Sequence, residues 1–173
     1  ICTVWTQAGD WPQWRGPNRD GVSTEVNIAR DWPKDGPPVL WRQPMGIAYS
    51  AVSVVGSRLY TMMATDADEF AVCLDVADGS EIWRERTGPR FDNDRGSGPR
   101  STPTVHEGKV YVLSGVGVLW ALEADTGDPI WSQDFVEEFA SNRPGWGFSG
   151  SALIEGDLVM VEAGGKESGA LAA

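Results

Sequence analysis

The sequence is poor in the residues that most often carry chemistry. Its 173 residues hold a single histidine, His106, and two cysteines, Cys2 and Cys73. One histidine excludes a zinc site or proton relay built on paired imidazoles, and two cysteines in such different surroundings do not make a disulfide framework. Basic charge is scarce as well: 14 Lys and Arg stand against 25 Asp and Glu, a formal net charge of -11. That balance argues against a nucleic-acid backbone or an anionic membrane face as partner. No apolar run approaches the ~18 consecutive residues of a membrane-spanning helix.

What is plentiful points to a packed, strand-rich chain. Hydrophobic residues make up 41%, with 9 Trp, enough apolar material for a core at a length of about one domain. The 21 Gly and 11 Pro are spread along the chain, which suits short strands and turns better than long helices. At the start, Ile1 to Ala8 is apolar and ends in small residues ahead of Gly9-Asp10. The tail of a signal peptide and a frayed first strand explain it equally well.

The organising feature is an internal repeat. Ser50 to Tyr60 matches Ser101 to Tyr111 and then Ser149 to Val159, at spacings of 51 and 48 residues. A second element, Cys73 to Trp83, matches Ala121 to Trp131 at a spacing of 48, and Leu40-Trp41 resembles the tail of an earlier copy. Apolar runs bounded by Gly, Asp and Ser predict four strands per copy: 51–55, 58–64, 69–75 and 80–86, then 102–106, 109–114, 117–123 and 128–134. Four short strands at a period of ~40–50 residues predict an all-β fold, a β-propeller of four-stranded antiparallel blades.

Trp41, Trp83 and Trp131 have a physical reason to recur, since an indole on an outer strand covers the apolar face between neighbouring sheets. Gly79 and Gly127 precede the last two by four residues and supply a left-handed turn position. Closure of a propeller needs at least ~4 blades. Residues 42–173 are therefore expected to form an open arc of about three blades, aggregation-prone if isolated. Residues 9–41 are expected to be an N-terminal cap with the last strand of an incomplete blade.

Ala121-x-Glu123-x-x-Thr126-Gly127-x-x-x-Trp131 resembles the tryptophan-docking motif A-x-D-x-x-T-G-x-x-x-W of quinoprotein-type propellers, and Cys73-x-Asp75-x-x-Asp78-Gly79-x-x-x-Trp83 keeps the same frame. The opening Asp10-Trp11-Pro12-Gln13-Trp14-Arg15-Gly16-Pro17 is similar to the first segment of bacterial PQQ-binding-like β-propeller repeat proteins. The resemblance implies an exported protein of about seven or eight blades, periplasmic or extracellular. It covers two classes: non-catalytic relatives such as BamB, and dehydrogenases that bind PQQ and calcium. Fold alone does not choose between them.

Gly164-Gly165-Lys166-Glu167 resembles the Gly-Gly-Ala-Glu of calcium-dependent quinoprotein alcohol dehydrogenases, with Lys166 in place of Ala. The resemblance implies Glu167 as a metal ligand and Gly164 and Gly165 as cofactor contacts. A glycine hairpin between two strands explains the same residues. Arg100 and Trp146, like Tyr49, fall in the loops that enter the innermost strands, where side chains approach the axis and a small-molecule ligand. Pairing with an acidic loop is the structural alternative for Arg100. Gly145-Trp146-Gly147-Phe148-Ser149-Gly150 fits G-x-G-x-x-G but lacks a strand-turn-helix context. Asp92-Asn93-Asp94 is half a calcium loop without the later Glu.

The reading is a binding or scaffold propeller of the cell envelope with envelope-protein partners. A PQQ- and calcium-dependent oxidoreductase is the alternative. Catalytic residues are not assigned.

Overall fold

The computed structural model describes residues 9–26, 28–29, 31–164 and 172. The signal-peptide reading of residues 1–8 lies outside them. The first module is formed by β1 (Ser53–Val55), β2 (Arg58–Ala64), β3 (Asp68–Asp75) and β4 (Glu81–Pro89). The second is formed by β5 (Thr104–His106), β6 (Lys109–Leu113), β7 (Val118–Glu123) and β8 (Pro129–Asp134). Each is a four-stranded antiparallel sheet in sequence order, and a third sheet begins with β9 (Leu153–Glu155) and β10 (Leu158–Met160). The all-β propeller architecture expected from the repeat is the fold observed.

The central strands of each complete sheet are buried on both faces while the outer strands β4 and β8 stay largely exposed, which explains why β2 reads as a nearly continuous apolar run. Along β2, Tyr60 and Met62 join Ala71, Cys73 and Trp83 on one face, against Val110, Val112 and Leu122 of the second module. Met63 belongs with Val72 and Leu74 on the other face. The second module repeats the arrangement, with Tyr111, Leu113 and Ala121 packed on Phe148, Ala152 and Ile154 of the third. Alternate residues of one strand thus serve two different interfaces.

Two features depart from the sequence reading. In the third copy, Met160 pairs with Leu153 just as Tyr60 pairs with Ser53 and Tyr111 with Thr104, so the true spacings are 51 and 49. The sequence match set Gly156 over Gly108. In the hairpins, however, Gly156 (φ 56°) occupies the first turn position, as Gly56 does (φ 58°), where the second module has Glu107 (φ 46°). A glycine is welcome at either turn position, so it is a poor register mark. The second departure is a short helix, α1 (Phe135–Phe139), directly after β8. Asp134 caps it by accepting from the Val136 and Glu137 amides, and Phe135 buries its ring in the interface core.

Candidate functional site

The loops that lead into β1, β5 and β9 bring Tyr49, Arg100 and Ser149 to one end of the inner strands. Together with Trp14, Ser151 and Glu162 they line a cleft of about 730 Å³. Trp146 and Gly164 line an adjoining crevice of about 320 Å³ that shares Ser149 and Glu162. Arg100 and Trp146 therefore flank neighbouring spaces rather than one pocket. Gly164 lies on the crevice wall with a φ of 70° and open space where a Cβ would be. Gly165 and Glu167 lie outside the described residues.

Arg100 turns two of its five N–H donors back onto its own loop. Its guanidinium gives hydrogen bonds to the Gly98 carbonyl at 2.5 Å and to the Gly96 carbonyl. The same group lies 4.8 Å over the Phe91 ring and 5.2 Å over the Tyr49 ring. These contacts fold the 90–100 loop onto itself and set the edge of the cleft. Trp146 carries Arg95 at 4.6 Å over its ring, while Asn93 Nδ2 donates to the Gly145 carbonyl at 2.7 Å. Trp146 and Tyr49 nevertheless remain 55% and 59% exposed, so two aromatic surfaces stand open at the rim.

A residue that sequence reasoning missed holds this rim together. Glu69 is fully buried on β3; one carboxylate oxygen accepts from the Phe91 amide at 3.0 Å and the other from the Gly115 amide at 2.8 Å. The Gly115 carbonyl in turn accepts from the Phe148 amide at 3.0 Å, two residues after Trp146. Burial pushes the Glu69 carboxyl above the usual range, opposed by the two amide hydrogen bonds and by Arg100. One carboxylate thus joins the Arg100 loop to the Trp146 loop. No local signal marks it, because Asp68-Glu69-Phe70 has the composition of any half-exposed strand start.

Away from the rim, the indoles dock on turns. Trp41 Nε1 donates to the Val76 carbonyl at 2.8 Å, and its ring fills the space above Gly79. Trp83 Nε1 donates to the Ala124 carbonyl at 2.9 Å above Gly127. Trp131 packs at 6.0 Å from Tyr111, as Trp83 does from Tyr60, but is 39% exposed where Trp83 is 8%. A second recurring contact was also missed: Ser53 Oγ donates to the Pro103 carbonyl at 2.5 Å and Thr104 Oγ1 to the Ala152 carbonyl at 2.7 Å. Its trace in the sequence is a hydroxyl at the same repeat position in both modules.

Chemically, the cleft offers aromatic faces, hydroxyls, one carboxylate and one guanidinium with two of its donors engaged. Among the described residues, no group of three or more His, Cys, Asp or Glu stands together as a metal site. Calcium takes 6–8 oxygen ligands, and Glu162 with Ser149 and Ser151 does not form such a set. Gly165 and Glu167, the cofactor contact and metal ligand that the resemblance implies, lie outside the described residues, and the described part of the cleft holds no complete calcium site.

Sheets of four antiparallel strands, clamped by indoles on successive turns, define a β-propeller repeat protein. The chain belongs to the PQQ-repeat family described as outer membrane protein assembly factor BamB, whose model matches residues 33–173. No curated protein matches it. Among solved structures it is similar to quinohemoprotein alcohol dehydrogenase from Comamonas testosteroni, with 21% identity over 88% of this chain and 23% of that chain at a TM-score of 0.64. BamB from Moraxella catarrhalis matches with 15% identity over 70% of this chain and 36% of that chain, TM-score 0.55. Quinohemoprotein alcohol dehydrogenase ADHIIG from Pseudomonas putida HK5 matches with 24% identity over 72% and 18%, TM-score 0.53. The chain thus spans 18% to 36% of the length of these structures, and at such identities the likeness is one of fold.

Proposed function

We propose that the chain is part of an exported propeller with a binding or scaffold role in the periplasm or at the cell surface, with envelope proteins as partners. The observation that carries this reading is the division of labour at the rim. Arg100 directs two of its donors to the protein's own carbonyls and lies over Tyr49, and Arg95 lies over Trp146, so both aromatic rings are braced yet stand more than half exposed. Anchored aromatic surfaces with restrained neighbours are what protein interfaces use, because little side-chain entropy remains to be lost on contact. The BamB family match over residues 33–173 supports the same direction.

The experiment is photo-crosslinking in cells with the full-length protein, the reactive group placed at Tyr49 or Trp146. Adducts with envelope proteins from these positions, and not from exposed Asp157 on the far hairpin turn, are the expected result. Equal yields from all three positions, or none, would count against the reading.

An oxidoreductase using PQQ and calcium is the second reading. It is favoured by one feature, the open left-handed Gly164 on a crevice that shares Glu162 with the axial cleft. Adding PQQ and calcium to full-length apoprotein tests it. Cofactor absorbance with dye-linked alcohol oxidation supports the enzyme; no uptake removes it.

A further inference from the structure

Residues 10–21 touch the same level of all three modules. Trp11 exchanges two backbone hydrogen bonds with Val54 on the inner edge of β1, at 2.7 and 2.9 Å. The Pro12 carbonyl accepts from the Val105 amide of β5 at 2.8 Å. Arg19 donates to the Ile154 carbonyl of β9 at 2.5 Å and pairs with Glu155 at 3.3 Å. Val54, Val105 and Ile154 are equivalent in the repeat, since they face Leu59, Val110 and Val159 in their hairpins. At the near end, Asp10 Oδ1 accepts from the Gly56 amide at 2.8 Å.

The segment is shaped for this path by its own residues. Arg15, Gly16, Arg19 and Gly21 all have positive φ, and the Gly21 amide closes a coil on the Arg15 carbonyl at 2.9 Å. Gly16 is buried under the Trp11 indole, where a Cβ would lie 2.7 Å from ring carbons. Between these anchors Trp14 projects into the wall of the axial cleft.

We infer that residues 10–21 are an axial strap, a single docking element that fixes the inner strands of three modules relative to one another and closes the cleft on its Trp14 side. An inner strand of three residues has few hydrogen bonds of its own, so the strap contributes much of what holds its free edge. Undocking therefore loosens three modules in one event.

Amide hydrogen exchange on the full-length protein tests this. In the wild type, the Val54, Gly56 and Val105 amides should share one opening rate, faster than that of Val72 and Val112 in the central strands. Gly16→Val forces side-chain carbons into the Trp11 ring. It should speed exchange of those three amides by about 100-fold, the equivalent of two or three ordinary hydrogen bonds, while leaving Val72 and Val112 unchanged. Arg19→Ala, a milder release, should give about 10-fold at the same amides. If Gly16→Val unfolds the chain, the wild-type rates and Arg19→Ala decide. Unrelated wild-type rates at Val54 and Val105, or no response to Arg19→Ala, would overturn the strap.

Discussion

Trp83 and Gly127 meet across the interface of the first two modules, the indole lying where any side chain at Gly127 would have to go. A Cβ there would sit 2.7 Å from two ring carbons, and the backbone is left-handed at φ 79°. The Trp83 ring also stands opposite Cys73 in the β3–β4 ladder, as Trp131 stands opposite Ala121. Small residues recur at that position because the ladder partner is an indole.

Two substitutions separate the contact from the backbone requirement. Gly108→Ala, at φ 75° with nothing within 4 Å, should cost only the left-handed penalty, about 1–2 kcal/mol. Gly127→Ala carries the same penalty and must also displace the indole, adding about 1–3 kcal/mol. Trp83→Ala should cost about 3–5 kcal/mol. Urea unfolding midpoints of the full-length protein give all three, and equal losses for the two glycine variants would show that the indole contact is slack.

These elements were legible to different degrees, for physical reasons. The span 58–64 coincides with β2 and 69–75 falls inside β3, because both faces are buried and the apolar run stops where solvent begins. The inner strands are shorter than the expected 51–55 and 102–106: β1 begins at Ser53 and β5 at Thr104, directly after Pro103, which has no amide for a ladder. The helix after β8 had a local sign, Asp134 with Glu137 three residues on, hidden by the expectation that the strand would end the copy. Arg100 was located by repeat register, whereas its engagement with Gly96 and Gly98 depends on how a loop folds back. Glu69 was invisible, because its burial comes from loops 22 and 46 residues away in sequence.

Removing the Glu69 side chain should therefore disturb the rim before it disturbs the sheets. Glu69→Ala leaves the Phe91 and Gly115 amides buried without an acceptor, and each such loss costs about 1–3 kcal/mol. Hydrogen exchange should show those two amides opening first. Crosslinking from Trp146 should weaken in the same variant. A variant as stable as the wild type would mean that water takes over both hydrogen bonds.

Alkaline pH gives a test with a defined sign. Burial pushes the Cys73 thiol up to about 11 from 9.0, and the Tyr60 phenol up to about 12 from 10.0. Folding favours the neutral form of both, so their contribution is complete below about pH 9 and is lost as pH rises through 11 to 12. The urea midpoint should fall across that range, and Tyr60→Phe with Cys73→Ala should flatten the fall. The same burial makes Cys73 inert. With Cys2 replaced by Ser, a thiol reagent at pH 8 should label the chain only at the rate of unfolding.

The hydroxyl contacts of the inner strands yield the last prediction. Thr104 is 2% exposed, and its Oγ1 donates to the Ala152 carbonyl of the third module at 2.7 Å. Thr104→Val keeps the volume and the β-branched shape that suits a strand, and removes only the donor. The carbonyl is then left facing a methyl group, at a cost of about 1–2 kcal/mol. Thr104→Ser keeps the donor and loses a methyl group, so it should retain the contact at a smaller packing cost of about 1 kcal/mol. At the equivalent position of the third module, Met160 faces Leu153, which has no hydroxyl to give. Leu153→Thr should accordingly bring no gain to the described interfaces. If Thr104→Val proves as stable as Thr104→Ser, packing alone sets the spacing between inner strands and the hydroxyl contact is incidental.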